Sequence, residues 1–392
     1  MENQTVLSKT TIYKTPIIKI PINKTLAYKK PIINKRVCLL KRILLVILTP
    51  FWSYAYAADT LQGFADFSYE RSDQAVSATY NTIIANSDII VYHHDNGVPW
   101  NEALWGLRYG ESFQAEWQRR QQFVPDDLPR YVAVTPLSFL RDGLAAYRND
   151  RDNQPLPWPW NVLGFDHPYV MNAYLNHCLH MIDMYHPDYF AYAIEANLLW
   201  QQAPQKWPAF IKLVRYVYLN LKQRHPQLPV FVTLQVDAVH EHLEQIAIAQ
   251  QLLAYSDVVA LSSYAYVRHP DPTTLPADYF TLVSDLAPRK PVAVAETGWP
   301  AENITAPFPV FIPASEAGQA VYLNRLLQEF QQKNALFVNW ILLRDFDDLW
   351  DKELSKSDNA PLLRQWKDIG MIAGNGWPRF WSWWVWNVYR NH

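Results

Sequence analysis

Eight short apolar runs recur along this chain, with segments of helical periodicity between them. They span residues 63–69, 88–95, 131–136, 189–195, 230–236, 257–264, 291–296 and 337–343. Most are apolar at successive positions, the pattern of strands buried on both faces. Between them, residues 207–224, 240–255 and 316–333 carry apolar side chains at spacings of three and four, as amphipathic helices do. Strands that alternate with helices form a parallel sheet covered by those helices, and eight such repeats close it into a ring. The expected fold class is therefore α/β, a single (β/α)8 or TIM barrel. A minimal barrel takes roughly 250 residues. The surplus falls after strands, at 93–130, 266–288 and 299–313, which predicts extended βα loops at the end of the barrel where chemistry resides.

Two of the runs stop at a carboxylate. Glu195 ends the fourth and Glu296 the seventh, 101 residues apart (296 − 195). At roughly 30–40 residues per strand–helix unit that is about three units. Strands four and seven lie across the barrel mouth from each other, so both carboxylates can face one gap. Two carboxylates flanking one bond are the equipment of a glycosidase. A lone glutamate after a strand more often caps or pairs; the partner is what carries the functional reading.

The first 57 residues read differently. They hold ten Lys and Arg but one acid, then the apolar run 43–48, then small residues ending in Ala55, Ala57 and Ala58. A basic region, a short apolar core and an A-x-A site make a secretory signal, with cleavage expected after Ala57. The domain division is thus 1–57, leader, and 58–392, barrel. The expected location is periplasmic or secreted, with membrane attachment only if the leader stays on. Without the leader, 25 bases face 36 acids and the net charge moves from −2 to −11. Such a chain is a poor partner for nucleic acid or polyanionic glycans, and a neutral saccharide fits better. Cys38 leaves with the leader, so Cys178 has no intramolecular partner. It reads as a buried small hydrophobe. A monomer is expected.

Other residues carry weaker signals. His93, His94 and Asp95 are adjacent, but neighbouring strand residues point to opposite faces and cannot easily share a metal ion. His94 is expected to bond sugar hydroxyls at the mouth. His177 and His180 sit at i, i+3 on a helix with no third ligand. No metal and no cofactor is expected. Trp340 has two open readings, a core indole or the floor beneath a sugar ring. Tyr264 is placed to hydrogen-bond Glu296, and Arg344 and Asp345 follow strand eight towards the cleft. The aromatic tail Trp377–Trp386 is expected to pack in the core, where the last helix meets the first.

The Ala295-Glu296-Thr297-Gly298-Trp299-Pro300 run resembles the nucleophile signature of the endo-β-1,3-glucanase family, family 17. Leu261-Ser262-Ser263-Tyr264-Ala265-Tyr266 resembles a strand-six segment of the endo-β-1,4-galactanase family, family 53. Gly370-Met371-Ile372 with Asn375-Gly376-Trp377-Pro378-Arg379 resembles a closing segment of their clan, the retaining (β/α)8 glycoside hydrolases of clan A. The resemblance covers about residues 60–392 as architecture. It implies Glu296 as nucleophile, Glu195 as acid/base, and sugar contacts from Asn197, Tyr264, Trp299 and Trp340. The clan sets Asn directly before its acid/base; here Ile194 stands there, and Asn197 is the nearest amide. The expected function is retaining hydrolysis of a neutral polysaccharide, of the β-glucan or β-galactan class, by double displacement. The alternative is a catalytically silent barrel that binds glycan during surface-polysaccharide assembly or export.

Overall fold

The computed structural model describes residues 60–391. The expected leader, 1–57, lies outside them. All eight expected strands form: β1 (Leu61–Ala65), β2 (Ile89–His94), β3 (Arg130–Val134), β4 (Tyr189–Ala193), β5 (Val230–Gln235), β6 (Val259–Ser263), β7 (Val292–Thr297) and β8 (Phe337–Trp340). They pair in sequence order, each parallel to the next, and β8 pairs with β1 to close the barrel. The (β/α)8 architecture is therefore as expected from the recurrence of buried runs.

The barrel interior is filled. Tyr131, Tyr189, Phe231 and Phe337, from four strands, meet as a layer of rings with centroids 4.9–6.4 Å apart. Such layers make a barrel a packed core with its chemistry at one end. Outside, the helices bury the apolar faces read from the sequence. Trp207–Arg224 and Glu316–Gln332 form where their periodicity placed them. The single helix expected over 240–255 is instead two, Val236–Glu241 and Glu244–Leu253. Gln235 accepts from the Ala238 N–H and starts the first helix directly at the end of β5.

The 93–130 segment holds two helices, Trp100–Trp105 and Glu111–Gln121. The second was invisible to periodicity because Phe113 is its one buried residue. Charge holds it instead: Arg120 bridges Asp66 at 3.2 Å, and Glu116 meets both Arg120 and Arg148.

The aromatic tail departs from expectation. In the final helix, Phe380–Arg390, Trp386 is buried and packs on Phe64 with centroids 4.5 Å apart. Trp377, Phe380, Trp381 and Trp384 are exposed. A helix that lies on a barrel buries one stripe, and six aromatics packed this densely in sequence cannot all lie on it. Among the described residues no helix is long and apolar enough to cross a membrane. Cys178 is a buried free thiol, as read.

Candidate active site

Three register irregularities sit at one end of the barrel, and each precedes a residue of the site. They lie between Ala191 and Ala193 in β4, between Leu261 and Ser262 against β7, and between Val294 and Thr297 against β8. An extra residue in a strand re-aims the side chains after it. The extra residues lie in β4 and β7, and Glu195 and Glu296, at the ends of these two strands, both line one cavity of about 1440 Å³.

At its floor Ser262 Oγ lies 2.7 Å from Glu195 Oε1 and 2.7 Å from Glu296 Oε1. These two oxygens are thus no more than twice 2.7 Å, or 5.4 Å, apart. That upper limit admits the roughly 5–5.5 Å spacing of retaining glycosidases and falls short of the 6.5–9.5 Å that inversion needs to admit a water. Glu195 stands two residues past β4 with φ of 48°, and its N–H donates to Thr233 Oγ1 at 2.7 Å.

Arg141 completes the floor from the loop after β3. It contacts both oxygens of Asp95, at 3.1 and 2.8 Å, and Glu195 Oε2 at 3.3 Å. Among the described residues no lysine or arginine lies this close to Glu296; Arg141 favours its charge only from farther off, and its neighbour is His93 Nδ1 at 3.6 Å. Burial pushes His93 down to about 4, so this ring is neutral near neutral pH. Burial, and then the charge of Glu195, hold the Glu296 carboxyl well above the usual carboxylate range.

The expected sugar contacts divide by strand parity. His93, not His94, lines the cavity. His94 is on the other face of β2, against Arg120 at 3.4 Å and the Tyr185 ring. Trp340 likewise faces outward: it is buried, donates to the Ile369 carbonyl at 2.8 Å and packs near Tyr322. Its neighbours Ile341 and Leu342 reach the cavity instead. Trp299 is fully buried and stacks on Tyr322 at 4.7 Å. Asn197 is committed inside the protein, since its amide donates to the Gln235 carbonyl and Gln245 Oε1 and accepts from the Gln235 N–H. None of these four lines the cavity. Tyr264 does, with its ring edge-on to Trp366 at 5.7 Å. The hydrogen-bond partner of Glu296 is Ser262 rather than Tyr264.

Asp345 and Arg344 turn away as well. Asp345 accepts from the Gly370 N–H at 2.8 Å and pairs with Arg379, which ties the closing segment to the end of β8. Arg344 lies over the Tyr69 ring at 3.7 Å. Asp345, Asp347 and Asp368 converge closely enough to suggest a cation site. Their charge is already met by Arg379, Arg364 and Lys367. His177 bonds Tyr109 at 3.2 Å and is buried in a helix.

Four residues of the site carried no functional assignment in the sequence: His93, Arg141, Ser262 and Trp366. Ser262 lay inside a motif that was legible, but its contact with two distant carboxylates was not. Trp366 and Phe67 supply apolar surface at the mouth, and sugar C–H faces stack on such rings.

No protein-family model matches the chain, and no curated protein matches it. Solved structures do share its fold. The GH5_18 protein of Streptomyces cattleya in complex with GlcNAc superposes with a TM-score of 0.60 at 14% identity, over 85% of this chain and 81% of that one. The exo-β-1,4-mannosidase Op5Man5 from Opitutaceae bacterium strain TAV5 gives 0.59 at 12%, over 85% of this chain and 59% of that one. Native xylanase 10B from Thermotoga maritima gives 0.51 at 10%, over 85% and 97%. Such neighbours are clan A glycoside hydrolases, the clan expected from the sequence. At these identities the likeness is one of fold and selects no single family within the clan.

Proposed function

We propose that this chain is a retaining β-glycosidase that hydrolyses a neutral oligo- or polysaccharide by double displacement. The observation that carries the reading is the pair Glu195 and Glu296, held within 5.4 Å of each other by one serine at the floor of a large cleft. Glu296 attacks the anomeric carbon and forms a covalent glycosyl-enzyme. Glu195 protonates the leaving oxygen, then takes a proton from the incoming water. Arg141 lies against Glu195 at 3.3 Å and fixes the position of its carboxyl at the cleft floor.

The acidic balance of the chain without its leader supports a neutral substrate. Arg120 and Arg141, two of the six arginines that line the cavity, are committed to Asp66, Glu116, Asp95 and Glu195. β-Glucan and β-galactan remain the substrate classes proposed from the sequence motifs, and the mannosidase among the structural neighbours adds β-mannan. Release of reducing sugar from these three, with a uronic-acid polymer as control, tests the reading. Activity on a neutral glycan is expected, and no release from any of them would overturn it.

One observation favours the silent barrel. Ile194 stands where the clan has an asparagine, and Asn197 is held by Gln235 and Gln245. The same panel decides, because a binder retains glycan on an affinity gel and releases nothing.

We also propose export, with the leader removed after Ala57. Mass spectrometry of the protein recovered outside the cytoplasm should show a new N-terminus at Ala58. Recovery of the intact leader in a membrane fraction would favour the anchored form.

A further inference from the structure

A serine hydroxyl owns one proton and can donate one hydrogen bond. Ser262 nevertheless meets two carboxylate oxygens, each at 2.7 Å. That distance is a full O–H···O hydrogen bond. If both glutamates were ionised, one oxygen would face the serine lone pairs with no proton between them. One contact must therefore run the other way, with a carboxyl donating to Oγ, and the pair holds a single carboxyl proton.

The surroundings decide which glutamate holds it. Arg141 lies against Glu195. Glu296 has neutral His93 beside it. The remaining groups that face the pair are Asp95, Tyr131 and Tyr264. Asp95 is neutralised by Arg141, and both tyrosines stay phenols because burial and the carboxylate charge push their ionisation up. At rest, then, the proton lies on Glu296, the member of the pair that has no arginine against it. Double displacement needs the opposite distribution, with an ionised nucleophile and a protonated acid.

We propose that Ser262 is a positioning residue that relays this proton and arms the pair. The Glu296 carboxyl proton passes to Ser262 Oγ as the Ser262 hydroxyl proton passes to Glu195. One O–H bond breaks at Glu296 and forms at Ser262; another breaks at Ser262 and forms at Glu195. The serine ends neutral, and no proton is drawn from solvent. The developing positive charge of a bound sugar favours the new Glu296 carboxylate and drives the shift. This rests on the glycosidase reading above.

The relay also stabilises the singly protonated pair against both its neighbours, so it widens the pH range of activity. The full chain with Ser262→Ala should lose about 10²-fold in kcat/KM, in the range set by proton-transfer catalysis, and its bell-shaped pH profile should narrow from both sides. Ser262→Thr, which keeps a hydroxyl, should recover the width. Infrared titration reads the resting proton without any substrate: the carboxylic acid absorption near neutral pH, to which buried Asp345, pushed up to about 7, also contributes, should lose intensity in Glu296→Gln. Intensity unchanged in Glu296→Gln and lost in Glu195→Gln would overturn the assignment, as would intensity unchanged in both. A Ser262→Ala profile of wild-type width and rate would overturn the relay alone. If the wild-type chain cleaves no glycan, the glycosidase reading falls and the relay with it, while the infrared result still locates the proton.

Discussion

Glu195 and Arg141 both have backbone in the left-handed region, with φ of 48° and 58°, and they are ion-paired to each other. That conformation costs a non-glycine residue about 1–2 kcal/mol, and such residues collect where a site over-determines its own geometry. The two glutamates are chemically distinct in consequence, and substitution should separate them. Glu296→Gln removes the proposed nucleophile and should reduce turnover by several orders of magnitude on every substrate. Glu195→Gln removes the proposed proton donor and should lower polysaccharide cleavage by about 10²–10⁴-fold. An activated aryl glycoside needs no such help and should still load the enzyme, and azide should then rescue release by attacking without a base. Near-normal polysaccharide activity in Glu195→Gln would remove Glu195 from the mechanism. At this scale the sequence marked both glutamates, because a carboxylate at the end of an apolar run is a local signal. It did not mark Arg141, which belongs to a loop whose path depends on the rest of the fold.

At the scale of elements, the helix Glu111–Gln121 illustrates a stabilisation that hydrophobic pattern does not report. It rests on the barrel through Arg120, whose partner Asp66 is almost entirely buried. Removing one member of a buried pair strands the other, at a cost of about 3 kcal/mol. Arg120→Ala should lower the unfolding free energy measured in urea by that amount, and hydrogen exchange should rise in 111–121 before it rises in the strands. Unchanged protection of this helix would show that Phe113 alone suffices to hold it. The strands teach a related lesson. Their existence was legible from continuous apolar runs, but buried runs are apolar on both faces and give no parity. His93 and His94, or Trp340 and Ile341, therefore could not be assigned inward or outward from the sequence. The bulges in β4 and β7 shift parity again, just where the site begins.

For the molecule as a whole, burial of titratable groups couples stability to pH. His177 is held down to about 3 by burial, then by His180 and Arg148. Its unfolded counterpart titrates near 6.5. Below that pH the unfolded chain takes up a proton that the folded chain refuses, so the histidine's contribution is intact above about 6.5 and is lost as pH falls towards 3. Buried Glu296 acts in the opposite sense, since its raised value favours the folded state in acid. The clean measurement is therefore a difference between variant and parent. Denaturation of His177→Gln and wild type, compared from pH 7 to 4.5, should show the wild type losing ground by about 1.4 kcal/mol per pH unit below 6.5. A pH-independent difference would mean that the ring protonates freely in the folded state.

What the sequence by itself determined is the barrel, its strand order and the two glutamates, since each is encoded within a few neighbouring residues: buried runs, helical spacing, a carboxylate where a run stops. The bulk of the contacts at the floor was decided only by tertiary structure. Ser262 reaches Glu195 across 67 residues and Glu296 across 34, and Arg141 reaches Glu195 across 54. Such meetings depend on closure of the ring, on which strand carries an extra residue, and on which face each side chain takes after it. The same closure leaves one carboxyl beside an arginine and the other beside a neutral histidine, and so gives two residues of one type different electrostatic surroundings.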